Sequence, residues 1–186
     1  MPHPGSTLAH LLIASLLLAG CGDDDGDAPG GDGGGVSATC RGGPLALPIP
    51  GCMPAVMRST GNPAQDCVNR INQFRAECQC LPPLARWTAG EACATQNAEY
   101  DSTRSPHDGF RSGMCESGSG QNECPGWPSV AATVDGCLQQ MWDEGPGEPF
   151  IDHGHYINMT NPRHTSVACG FFTTPSGSVV AVQNFR

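Results

Sequence analysis

Three histidines and a cysteine crowd one stretch of this sequence. His153, His155, His164 and Cys169 fall within residues 152–170, DHGHYINMTNPRHTSVACG. Imidazole titrates near neutrality and is the commonest metal ligand. His153 and His155 are two residues apart, so in an extended segment they share a face. His107 lies in a second polar loop, Ser105-Pro106-His107-Asp108-Gly109. Of these, His153 reads as a solvated turn residue that is also the available third metal ligand, and His164, beside Arg163 ahead of a strand, as a surface residue. Covalent catalysis finds less support. No His-Glu-x-x-His helix and no Gly-x-Ser-x-Gly elbow is present. Ser105, Ser112 and Thr160 lie near the histidines in sequence, but nothing marks one as activated.

The cysteines set the chemistry of the compartment. There are eleven. Cys21 ends a short apolar run, and the other ten (40, 52, 67, 78, 80, 93, 115, 124, 137 and 169) make an even set. Ten cysteines in an exported chain read as up to five disulfides, whose pairing the spacing leaves open. A zinc site is the rival. The closest pair is Cys78-Gln79-Cys80, without the two-residue gap of a ribbon or redox motif, so bridges are expected.

Charge narrows the partners. The 186 residues carry a formal charge of −9, which argues against nucleic acid, whose binding depends on basic side chains neutralising phosphates. All nine basic residues are Arg, so lysine Schiff-base or general-base chemistry is excluded.

Residues 1–20 read as an export signal with an apolar core too short to span a bilayer. It ends Leu18-Ala19-Gly20-Cys21, which resembles the bacterial lipobox; this implies cleavage before Cys21 and lipid on its sulfur, placing the protein on the bacterial cell envelope, with plain secretion the alternative. The amino-terminal region has no Lys or Arg, a departure from the usual signal. Residues 21–39 are a Gly/Asp-rich tether with too little apolar content to fold. Residues 40–66 are a Pro/Gly-rich extension pinned by Cys40 and Cys52, and residues 67–186 the main domain. Within it, apolar spacing of three to four predicts helices from Asp66, which serves as cap, to Cys78, from Thr88 to about Asp101, and from a Ser129 cap until Gly145-Pro146. Residues 109–129 read as bridged loop. Residues 166–173 and 178–185 read as a hairpin.

That order, with several short motifs, resembles the CAP superfamily (SCP domain), which includes cysteine-rich secretory proteins, antigen 5 and pathogenesis-related proteins. Asn69 to Arg75 (NRINQFR), Leu84-Ala85-Arg86-Trp87, Gly154-His155-Tyr156 with Val167-Ala168-Cys169-Gly170, and Gln183-Asn184-Phe185 carry the resemblance. It covers residues 67–186 and implies an α+β fold, a three-layer α-β-α sandwich with a small antiparallel sheet and a central cleft. The family places two His and two acids there. Carried over, these positions are His107, His155, Glu144 and Gln121, where an amide replaces a carboxylate. Glu123 follows, read as pointing elsewhere.

Two imidazoles with solvent ligands suit Zn2+ or a similar divalent ion, with His107 and His155 as ligands. Alternatively both are hydrogen-bonded structural residues, with Glu144 holding one tautomer. The resemblance implies a binding module for a lipid, a sterol or an extracellular protein. The alternative is a metal-dependent, peptidase-like hydrolase with Glu144 as general base.

Overall fold

The computed structural model describes residues 40–186. The export signal, Cys21 and the tether lie outside the described residues. Among those described, no helix is long and apolar enough to cross a membrane.

Asn62 starts the first helix. Its Oδ1 accepts from the Gln65 N–H at 3.1 Å, and Pro63 takes the first helical position, where a missing N–H costs no intrahelical bond. α1 (Pro63–Gln73) then widens into a π-helical turn, Phe74–Cys78. Asp66 is therefore not the cap. Its carboxylate gathers the Thr60 N–H at 2.8 Å and the hydroxyls of Ser59 and Thr60, tying the incoming loop to the first turn. Asn72 clamps Leu84 by two hydrogen bonds, at 2.7 and 2.9 Å, and so places β1 (Ala85–Arg86).

A 3-10 turn, Thr88–Gly90, leads into α2 (Glu91–Asp101), and α3 (Asp108–Arg111) is a single turn. β2 (Gly120–Trp127) follows, then a helix made of α4 (Val130–Ala132), a π turn (Thr133–Cys137) and α5 (Leu138–Asp143). Ser129 caps it as expected, accepting from the Ala132 N–H at 3.1 Å. α6 (Phe150–Thr160) precedes the terminal hairpin of β3 (Ser166–Thr173) and β4 (Val179–Phe185).

The sheet order is β1-β3-β4-β2. The resemblance implies an antiparallel sheet; the observed one is mixed, because two-residue β1 runs parallel to β3 at one edge. Residues 109–129 are not all loop either. Eight of them form β2, antiparallel to β4 at the other edge. Gly, Asn and Pro have low strand propensity, so pairing with β4 rather than local preference makes this strand.

Helices cover both faces of the sheet, so the fold is α+β in three layers. On one face Ala94 and Ala98 of α2 meet Phe172, Val180 and Val182. Gly170 permits that approach: a Cβ there would lie 2.1 Å from the Thr95 nitrogen. On the other face α1, the α4–α5 helix and α6 bury a larger core around Ile71, Phe74, Leu138, Trp142, Val167 and Phe185. Trp142 stacks on Phe74 with centroids 5.4 Å apart and meets Tyr156 edge-on at 5.1 Å.

All ten described cysteines are bridged. Cys40–Cys80 and Cys52–Cys78 pin the extension to the end of α1, and Cys67–Cys169 joins α1 to β3. Cys93–Cys115 and Cys124–Cys137 fasten α2 and β2 to their neighbours. Cys78 and Cys80 belong to different bridges, which removes the zinc alternative for that pair.

Candidate functional site

β2 is an edge strand, and the two helical layers meet across it. From one side comes the turn before α3, bearing His107; from the other comes α6, bearing His155. Between them lies a cleft of about 330 Å3, lined by His107, Phe110, Gln121, Phe150, Ile151 and His155 among others. The two imidazole centroids are 6.5 Å apart. Of the four residues carried over from the family pattern, His107, Gln121 and His155 line this cleft, and Glu144 stands behind it, bonded to the His155 ring.

The path to that convergence differs from expectation. Residues 150–160 are helical, not extended. A spacing of two puts His153 and His155 on different helix faces. His153 points back to α5, where its Nδ1 donates to the carbonyls of Glu144 at 2.7 Å and Gly145 at 3.0 Å. It caps a helix end and is no third ligand in this geometry. His164 is not on the surface: it is 6% exposed and stacks on Phe185 at 5.4 Å. Burial holds its pKa below the ordinary value, helped by Arg75. The hydroxyls of Ser112 and Thr160 donate to the carbonyls of Gly109 and Tyr156, each at 2.9 Å, which leaves neither as a marked nucleophile.

Each cleft imidazole is held at Nδ1. His155 Nδ1 bonds a Glu144 carboxylate oxygen, while the His155 backbone N–H donates to the other oxygen at 3.0 Å. His107 Nδ1 lies 2.8 Å from Gln121 Oε1. Among the described residues neither Nε2 has a hydrogen-bond partner. Gln121 thus does a carboxylate's orienting job without its charge.

Glu123 does not point away. Gln121 and Glu123 are two apart on a strand, so they share a face, and period-two alternation would have revealed this once 120–127 is taken as a strand. Its Oε2 accepts the His107 N–H at 2.7 Å. That bond supports His107 in the left-handed region, at φ 65°, which is uncommon for a non-glycine residue. Asp101 assists from below, accepting the Gly109 N–H at 2.7 Å. Glu123 is 4% exposed; burial, with the Asp101 carboxyl beside it, pushes its pKa up to about 7 against the opposing His107 N–H bond. Burial also lowers the His107 pKa, aided by His155 and Arg111 and opposed by the Gln121 bond.

The donor set for a metal is two imidazole Nε2 atoms. With Zn–N bonds of about 2.0–2.1 Å, tetrahedral ligation brings two imidazole centroids to roughly 5 Å, so these rings would have to close by about 1 Å. No third protein ligand joins them: among the described residues no group of three or more His, Cys, Asp or Glu is arranged to hold a metal ion.

A second cavity, of about 280 Å3, lies between α1, α4 with its π turn, and the extension. Met57, Pro63, Arg70, Ala131, Val134 and Asp135 are among its lining. Arg70 is 3% exposed and lies over the Phe74 ring at 4.4 Å. Its Nη1 donates to Pro54 O at 3.0 Å and Gln73 Oε1 at 2.7 Å, but its Nε is buried without a partner.

A family model described as the cysteine-rich secretory protein family (CAP) matches residues 68–185. The chain belongs to the CAP family. Two solved structures are similar to this CAP domain. The structure of BmVAL-1 matches with a TM-score of 0.46 and 18% identity, over 74% of this chain and 80% of that one. The crystal structure of Na-ASP-1 matches with a TM-score of 0.50 and 16% identity, over 77% of this chain and 43% of that one. At these identities the likeness is one of fold. No curated protein matches the sequence of this CAP domain. Family membership and five disulfides together indicate an extracellular, oxidising setting.

Proposed function

We propose that this CAP domain is an extracellular binding module whose ligand is an amphipathic anion, an acyl chain ending in a carboxylate being the simplest case. The observation that carries the reading is Arg70. Arg70 and Arg58 line a mainly apolar cavity together with Asp66 and Asp135, and the Arg70 Nε is buried with no protein acceptor, so an anionic head that reached it would supply the missing partner. The cavity is near the lower end of small-molecule sites, about 300–1,000 Å3, and suits a narrow chain better than a sterol. The test is displacement of a fluorescent fatty acid from the purified chain. Ala131→Trp, which fills the cavity from its exposed wall, is expected to abolish binding with the melting temperature retained. Unchanged binding would move the ligand elsewhere.

The His cleft supports a second, metal-linked reading. Both imidazoles are held through Nδ1 with Nε2 unpartnered, the arrangement that histidine metal ligands use. With solvent completing the coordination, His107 and His155 would hold Zn2+ weakly and supply an electrophilic site. Calorimetric titration with Zn2+, repeated on His107→Ala and His155→Ala, tests it. The hydrolase alternative asks Glu144 to act as base, yet both its oxygens are already engaged by His155. Peptide hydrolysis by the Zn2+-loaded chain, lost in Glu144→Gln, would reinstate it. Export and lipid attachment at Cys21 belong to the same proposal, supported by Leu18-Ala19-Gly20-Cys21; mass spectrometry of the mature amino terminus decides between anchoring and secretion.

A further inference from the structure

A histidine beside a glutamine does not by itself have a defined tautomer. The Gln121 amide can present either oxygen or nitrogen to His107 Nδ1, and heavy-atom positions alone do not distinguish them. What distinguishes them lies behind Gln121. Its other amide atom faces two side-chain oxygens, Asn184 Oδ1 at 2.9 Å and Asn97 Oδ1 at 3.2 Å. Asn97 Oδ1 also receives the Ser117 hydroxyl at 2.8 Å and Asn184 Nδ2 at 3.4 Å. Asn97 and Asn184 are 0% exposed and Gln121 is 7% exposed, so water does not readily substitute for a lost bond.

Such a network has two self-consistent states. In one, all three amides stand as described, and Gln121 turns its oxygen to His107. In the other all three are turned over, and Gln121 offers an N–H to His107 instead. The far end breaks the tie. Asn97 Nδ2 lies 3.8 Å from both Met114 Sδ and Cys115 Sγ. A thioether and a bridged sulfur carry no proton, so each can only accept, weakly, and an amide oxygen placed there would face no donor. A third sulfur, the bridged Cys93 Sγ, lies 3.9 Å from Asn97 Oδ1, but the Ser117 hydroxyl reaches that same position at 2.8 Å and can donate there, so the oxygen faces inward and the nitrogen lies toward Met114 and Cys115.

We propose that Asn97, with Asn184, is a positioning residue that fixes the tautomer of His107 through the Gln121 amide. His107 then carries its proton on Nδ1, leaving Nε2 as a bare lone pair. In the cleft it accepts a hydrogen bond or ligates a cation, and it does not donate. The β2–β4 register sets Gln121 directly opposite Asn184, which is how the strand edge delivers this constraint to a loop histidine. The assignment holds whether or not the cleft takes a metal.

The test is long-range 1H–15N correlation of the imidazole rings in the labelled, disulfide-intact, metal-free chain at a pH where His107 is neutral. The wild type is expected to show His107 as the Nδ1–H tautomer alone. Asn97→Ala is expected to lose that purity and give a mixture, with the His155 pattern unchanged as internal control. Asn97→Asp, which keeps an acceptor toward Gln121, is expected to retain the pure tautomer. Adding Gln121→Glu to Asn97→Ala is expected to restore it, since a carboxylate can only accept. If Asn97→Ala does not fold, Asn97→Leu, which fills the site without an acceptor, is expected to give the mixture, while Asn184→Ala, which leaves Asn97 Oδ1 facing the Gln121 amide at 3.2 Å, is expected to keep the pure tautomer. An Nε2–H tautomer in the wild type, or a pure Nδ1–H tautomer that survives Asn97→Ala, would overturn the proposal.

Discussion

Replacing Glu123 with Gln should change how the fold responds to pH. In the folded chain Glu123 is almost fully buried beside Asp101, and its pKa is raised from an ordinary 4.5 to about 7. The folded state therefore holds a proton between those values that the unfolded state releases. That contribution is fully present below pH 4.5 and is lost as pH rises through about 7. At roughly 1.4 kcal/mol per pH unit, the complete loss is about 3 kcal/mol as an upper bound. Glutamine keeps the useful contacts: its oxygen can accept the His107 N–H and its nitrogen can donate to Asp101 Oδ2, which is buried without a partner. The assay is chemical denaturation of both proteins, disulfides intact, from pH 4.5 to 8. His107 and His164, whose pKa values are lowered by burial, favour the fold in the opposite sense, with stability that rises with pH, and they largely cancel in the difference. The variant-minus-wild-type difference is expected to be small at pH 5 and to grow toward +3 kcal/mol, in order of magnitude, by pH 8. A difference that stays flat across that range would refute the buried carboxyl pair.

Three further outcomes follow from the packing. His153→Ala removes two bonds to the end of α5 and is expected to cost about 1 kcal/mol by denaturation, while any Zn2+ affinity of the cleft stays within error of wild type. Gly170→Ala puts a methyl where the Thr95 nitrogen stands 2.1 Å away; α2 must lift from the sheet, and loss of the cooperative melt is expected. Replacing Cys67 and Cys169 by Ser opens a bridge that spans 102 residues, and a loss of about 2–5 kcal/mol is expected in urea.

Much of the scaffold was legible before any coordinates. The β-branched hairpin at 166–185, the Ser129 cap and the even set of ten cysteines are local signals, and each is realised as read. Family motifs then pointed to His107, Gln121, Glu144 and His155, and the geometry brings these together. Other features were not legible, for one reason: their conformation depends on distant partners. Gly120–Trp127 has poor strand propensity and becomes β2 only by pairing with β4. Residues 150–160 have no side-chain cap and an internal Gly154. They are helical because Tyr156 and Met159 are buried, Tyr156 donates to Gln79 at 2.7 Å, and Arg75 reaches the Met159 carbonyl.

The amino-acid sequence alone pointed to an oxidising setting, through its cysteines, and to the kinds of side chain in the cleft. Tertiary structure decided which way they face. Glu123 serves His107 because β2 is a strand, His153 serves α5 because its segment is a helix, and the Gln121 amide takes its direction from Asn97 and two sulfurs. Hydrogen-bond direction and burial are properties of the assembled surroundings, and residue types do not carry them one at a time.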